Sequence, residues 1–113
     1  MSEFTDYLEE LLADLGPVRA RRMFGGHGLF LDGLMFALVA DDTLYLKADA
    51  ETEPEFQARG LSQFTYVKKG REVHLSYWRA PAEVLDDPEI ACDWARRAHA
   101  AARRSQGGGR ARL

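Results

Sequence analysis

At 113 residues, with 46% hydrophobic and 29% charged residues, the chain has the composition of one globular domain that can bury a core without staples. The net charge is −3, and the single cysteine, Cys92, excludes an internal disulfide and a cysteine-rich zinc site. The N-terminus is acidic rather than signal-like and no apolar run is long enough to span a bilayer, so a cytoplasmic protein without a membrane segment is expected.

Phe4, Tyr7, Leu8, Leu11, Leu12 and Leu15 recur at helical spacing, opposite Asp6, Glu9, Glu10 and Asp14. Ser2 or Thr5 can cap this first helix, and Gly16-Pro17 stops it. Residues 18–31 read as one extended strand, with Gly25, Gly26 and Gly28 marking a bulge or a close backbone approach. Asp32-Gly33 is a type I′ hairpin signal, Leu34 to Ala40 is a continuous apolar strand, and Asp41-Asp42 turns the chain into a third strand with Leu44 and Leu46. A short acidic helix over 49–60 is anchored by Phe56 and closed by Gly60. A second hairpin follows, from Phe64 to Lys68 and from Glu72 to Trp78 around Lys69-Gly70, with Val73, Leu75 and Tyr77 alternating against His74, Ser76 and Trp78. Pro81 breaks it, and a short turn or helix over 81–86 leads to a cap at Asp86 or Asp87. The last helix is alanine-rich, with Trp94 as its large anchor. The sum is an α+β domain over 1–106. Its order is helix, three-strand meander, helix, β-hairpin and helix, giving an antiparallel sheet of about five strands with the helices packed on one face. Residues 107–113 read as a disordered Gly/Arg tail.

With the elements laid out, a family likeness emerges. Arg21-Arg22-Met23-Phe24-Gly25-Gly26-His27-Gly28, then Asp32-Gly33, Met35-Phe36-Ala37-Leu38 and Ala40 to Lys47, resemble the N-terminal domain of the TfoX/Sxy family. Phe64-Thr65-Tyr66, Leu75-Ser76-Tyr77-Trp78 and the Pro81 break are similar too. The likeness covers residues 5–100 and is to a stand-alone domain, without the helical C-terminal domain such proteins usually carry. It implies a bacterial competence or transcription regulator acting with a cyclic-AMP receptor-type factor, and it supplies no catalytic residues. The YjbR-like domains share the helix-on-sheet plan and are the alternative family.

No reactive constellation accompanies the likeness. Leu31 stands where a phosphate-binding glycine motif needs its last glycine, and a strand follows rather than a helix. His27, His74 and His99 lack metal-ligand spacing, and Ser62 and Ser76 lack a neighbouring base. No enzyme activity, cofactor or metal is therefore expected. The leading reading is a protein-interaction module that docks a partner through a sheet face or edge using Arg21, Arg22, Gly25, Gly26 and His27, with homodimerisation through exposed edges an open option. The alternative is a nucleic-acid accessory protein contacting phosphates through Lys68, Lys69, Arg71, Arg103 and Arg104, because the chain after Asp93 is basic. A third reading is a small enzyme or a redox-sensitive protein through Cys92, which shares a helix face with Arg96, His99 and Arg103 by spacing.

Overall fold

The apolar stripe at the N-terminus forms α1 (Glu3–Leu11), opened by a reciprocal capping box in which the Ser2 hydroxyl accepts from the Thr5 amide and the Ser2 amide donates back to the Thr5 hydroxyl. The computed structural model describes residues 2–23 and 25–111, with side chains to 106, so the tail expected over 107–113 lies outside the residues whose side chains are described. Six strands follow: β1 (Arg19–Met23), β2 (Gly26–Leu31), β3 (Leu34–Ala40), β4 (Thr43–Lys47), β5 (Gln63–Lys68) and β6 (Arg71–Arg79). They are interrupted by α2 (Glu53–Ala58) and closed by a 3₁₀ turn (Ala82–Leu85) and α3 (Pro88–Ala111).

The sheet is antiparallel in the order β1-β2-β3-β4-β6-β5. It has one strand more than expected because residues 18–31 form a hairpin, not a single interrupted strand. Met23 pairs with Gly26 across positions 24–25, and Gly25 has φ 77°, a turn conformation that favours glycine. Gly26 has no space for a side chain, since a Cβ there would lie 2.2 Å from the Val39 carbonyl oxygen. Of the two readings of these glycines, the close backbone approach holds at Gly26, and the bulge lies at Leu29/Phe30, where the β2–β3 register shifts.

The other turns follow their chemistry. Asp32-Gly33 and Lys69-Gly70 both take positive φ, as do Asp41 and Asp42. The Asp87 carboxylate accepts from the amides of Glu89 (2.8 Å) and Ile90 (3.3 Å) and so caps α3.

Helices and sheet enclose one core. Leu8 and Leu11 from α1, Leu29, Phe36, Val39 and Leu46 from the sheet, and Ala91, Ala95 and Ala98 from α3 are all buried in it. The small alanines let α3 lie close to β3 and β4. Phe56 of α2 packs between Trp78 (6.1 Å) and Trp94 (5.4 Å), and the Trp78 indole donates to the Glu53 carboxylate at 3.2 Å. Ion pairs lace the helical layer. Arg97 lies over Trp94 at 4.1 Å and contacts Glu55 at 2.7 Å and Asp93 at 3.2 Å, while Arg59 reaches Glu83 at 3.1 Å.

Candidate functional site

Strand alternation divides the sheet into two faces. Leu29, Ala37, Val39, Leu44, Leu46 and Trp78 turn to the helices. On the other face stand Met23, Phe30, Met35, Leu38, Tyr45, Phe64, Tyr66, Leu75 and Tyr77. The helices lie on the first face, so among the described residues no element covers the second. The set Val73, Leu75 and Tyr77 is thus the uncovered one, and Trp78 joins the core.

The twisted sheet brings the β5–β6 hairpin to face β1–β3 across a groove of about 610 Å³. Its lining is apolar: Met23, Met35, Leu38 and Leu75, with Phe64 and Tyr66 along one wall and Lys68 at the margin. Tyr45 and Phe64 meet edge to face at 5.1 Å, which holds the hairpin wall against the centre of the sheet. Gly28 marks the point where three side chains converge. A Cβ at Gly28 would meet Met23 Sδ at 2.7 Å, Met35 Sδ at 2.9 Å and Phe30 Cε1 at 3.1 Å. Methionine is flexible and polarizable, so a floor of this kind can adapt to the shape of an apolar guest.

The charge on this layer is one-sided. The strands carry Arg19, Arg21, Arg22, Lys47, Lys68, Arg71 and Arg79 against a single acid, Glu72. Register puts Arg21, Lys68, Arg71 and Arg79 on the open face, and Glu72 on the reverse, where it pairs with His74 at 3.1 Å. Arg21 lies over the Phe30 ring at 5.0 Å. Lys47 is half-buried beside Tyr77, and burial lowers its pKa against the opposing pull of Asp49 and Glu53. Burial likewise raises the pKa of the Tyr77 hydroxyl.

The structure distributes the sequence-predicted residues unevenly. Arg21 and Arg22 point to opposite faces: Arg21 stands opposite Gly28 on the open side, and Arg22 opposite His27 on the helical side. Gly25 is an exposed turn residue, and Gly26 serves the close approach to Val39. Lys68 and Arg71 are cross-strand partners at the hairpin end, with Lys69 in its turn. Arg103 and Arg104 belong to α3, so the sheet lies between them and the open-face cations. Arg104 is also held by Asp49 (2.6 Å) and Glu51 (2.9 Å), and its hydrogen bond keeps the Asp49 carboxyl below the usual carboxylate range. Cys92 is 3% exposed and His99 is buried against the Leu31 carbonyl at 3.0 Å, whereas Arg96 and Arg103 are exposed. The buried stripe of α3 is centred on Ala95, Ala98 and Ala102, and the expected Cys92 face straddles its margin.

The groove floor was missed from sequence, although a signal existed. A strand as apolar on both sides as Leu34 to Ala40 implies cover on both faces, and the helices supply only one. Among the described residues no three His, Cys, Asp or Glu side chains gather as metal ligands, and no described helix is long and apolar enough to cross a membrane.

These features define a two-layer α+β domain with an uncovered, cation-flanked sheet face. The chain belongs to the TfoX N-terminal domain family, whose model matches residues 10–102. It is 35% identical over 78 residues to DNA transformation protein TfoX1 of Aliivibrio fischeri, an alignment covering 69% of this chain and 37% of that protein. It is 38% identical over 71 residues to Protein Sxy of Escherichia coli K12, covering 63% of this chain and 34% of that one. The chain therefore corresponds to a minor part of each relative's length.

Proposed function

We propose that this domain is a non-enzymatic regulatory module that docks a protein partner on the open face of its sheet. The observation that carries the reading is the apolar groove between the β5–β6 hairpin and β1–β3, which no described element fills. Its lining includes no carboxylate, histidine, cysteine or serine, and a site so lined suits binding better than bond-making. A second depression, of about 440 Å³, brings Asp42, Ser62 and Arg79 to its walls but no histidine or lysine to complete a serine–base pair of the usual kind. The burial of Cys92 argues in the same direction against a redox-sensing thiol. One relative is named for DNA transformation, and regulation of such a process is the role carried to this chain by that likeness.

The test is photo-crosslinking in cells, with a benzophenone amino acid at Tyr66 in the groove wall or at Arg103 on α3. A protein adduct formed from position 66 and not from position 103 supports the reading. The same adducts from both positions, or none from 66, refute it. A second reading, nucleic-acid binding, draws on Lys68, Lys69 and Arg71 beside Tyr66, and predicts salt-sensitive oligonucleotide binding lost on Lys68→Glu/Arg71→Glu.

A further inference from the structure

We propose that the groove receives an acidic amphipathic helix of a protein partner, with its apolar side chains on Met23, Met35, Leu38 and Tyr66 and its carboxylates over the cations at the rim. This rests on the docking reading above and adds the chemistry of the partner.

The first support is charge segregation. Acids outnumber bases over the whole chain, 18 to 15, yet on the strands seven cationic residues face one glutamate, and that glutamate points away from the groove. The second is the absence of neutralising partners. Arg59, Arg97 and Arg104 of the helical layer are ion-paired, whereas among the described residues Arg21, Lys68, Arg71 and Arg79 make no ion pair. Of these, Lys68 lines the groove, Arg71 is its cross-strand partner and Arg21 stands two residues before Met23 on the same face; unpaired cations beside an apolar depression match a ligand that carries negative charge flanking a hydrophobic stripe.

The third support is the floor itself. Two methionines and two leucines give an adaptable apolar surface of the kind that accepts the i, i+3, i+4, i+7 anchors of a helix. Single-stranded nucleic acid would use a run of aromatic platforms beside a continuous cationic track. Here the lining aromatics are Phe64 and Tyr66, on one wall, and the floor between the walls is aliphatic and thioether. The acids of α1 and α2 further disfavour a polyanion as large as nucleic acid, while a short acidic helix can stay over the open face.

The experiment measures fluorescence anisotropy with the full chain and three labelled probes. One is a designed amphipathic peptide with Leu and Phe on one face and Glu on the other; the second is the same peptide with Lys in place of Glu; the third is an oligo-dT strand. The acidic peptide should bind at least about tenfold tighter than the lysine peptide and weaken severalfold at high salt. Tyr66→Asp, at a position 39% exposed, should abolish binding, and Lys68→Glu/Arg71→Glu should reverse the peptide preference, each variant being confirmed as folded by circular dichroism. If the lysine peptide or oligo-dT binds more tightly, and Tyr66→Asp still removes that binding, the acidic-helix inference falls while the docking face stands. Acidic-peptide binding that ignores Tyr66→Asp overturns both. No binding of any probe overturns the acidic helix alone, and the crosslink from position 66 then decides the docking reading separately.

Discussion

Gly26→Ala and Gly28→Ala differ by one methyl group each on the same strand, yet the structure separates them sharply. Neither glycine has a positive φ, so alanine is permitted by the backbone at both and only the surroundings matter. At Gly26 the new Cβ would lie 2.2 Å from the Val39 carbonyl oxygen and 3.3 Å from its carbonyl carbon. Those are main-chain atoms near the C-terminal end of β3, within its ladder with β2, so relief means shifting that ladder or opening the Met23–Gly26 hairpin pair. At Gly28 the collisions are with the ends of Met23, Met35 and Phe30, which can rotate into the groove. Overpacking against backbone costs about 3 kcal/mol at Gly26, whereas at Gly28 the entropy gained on replacing glycine, roughly 0.5–1 kcal/mol, offsets most of the repacking. For a domain of this size the Gly26→Ala melting temperature should fall by roughly 10 °C and that of Gly28→Ala by no more than a few degrees. Urea and thermal unfolding followed by circular dichroism measure both. A loss below about 1 kcal/mol at Gly26, or a larger loss at Gly28 than at Gly26, refutes the steric reasoning. Gly28→Ala should also narrow the groove and weaken any ligand seated there without unfolding the protein.

Three further outcomes are expected. Phe56→Ala removes the ring between Trp78 and Trp94 and should cost about 3–5 kcal/mol in urea denaturation, a loss under about 1.5 kcal/mol meaning that the two tryptophans close the gap. Asp49→Asn breaks the paired contact with Arg104 (2.6 and 3.1 Å) and should lower stability by about 1 kcal/mol at neutral pH. Because the folded carboxyl of Asp49 titrates below its unfolded value, that contribution is complete above the ordinary aspartate pKa and disappears as pH falls through the folded one. The difference between the wild type and Asp49→Asn should therefore begin to shrink only as pH falls below the ordinary aspartate value, and a difference that does not shrink on further acidification contradicts the assignment. Lys69→Asn places a residue tolerant of positive φ at φ 52° in the β5–β6 turn and should stabilise the protein by about 0.5 kcal/mol, with unchanged or lower stability counting against the turn geometry.

Much of the scaffold was legible because short-range chemistry decides it. Asp32-Gly33 and Lys69-Gly70 signal their hairpins, the stripe from Phe4 to Leu15 announces α1, and Asp87 with Pro88 opens α3. The Met23–Gly26 hairpin was not legible. Three glycines in four positions read equally well as a bulge, and the clash that makes Gly26 obligatory involves Val39, thirteen residues on. Strand order was also out of reach, since local pattern does not say whether β5 or β6 lies beside β4. The predicted contact residues fared differently one by one. Spacing along α3 gave no hint that Arg104 is engaged by Asp49, whereas the opposite parity of Arg21 and Arg22 was readable and separates them across the sheet. The groove depended on the tertiary fact hardest to see, namely which of two apolar strand faces the helices leave uncovered.

The β4–β6 seam has a further consequence. It consists of three residue pairs, Tyr45 with Arg79, Leu46 with Trp78 and Lys47 with Tyr77, and it joins strands with α2 and β5 between them in sequence. Every other ladder of the sheet is a hairpin between consecutive strands. Closing this seam therefore carries the largest loop entropy in the sheet and comes after the local hairpins in any economical folding route. Both walls of the groove can fold while the groove itself does not yet exist, and the groove is created by the last and shortest join.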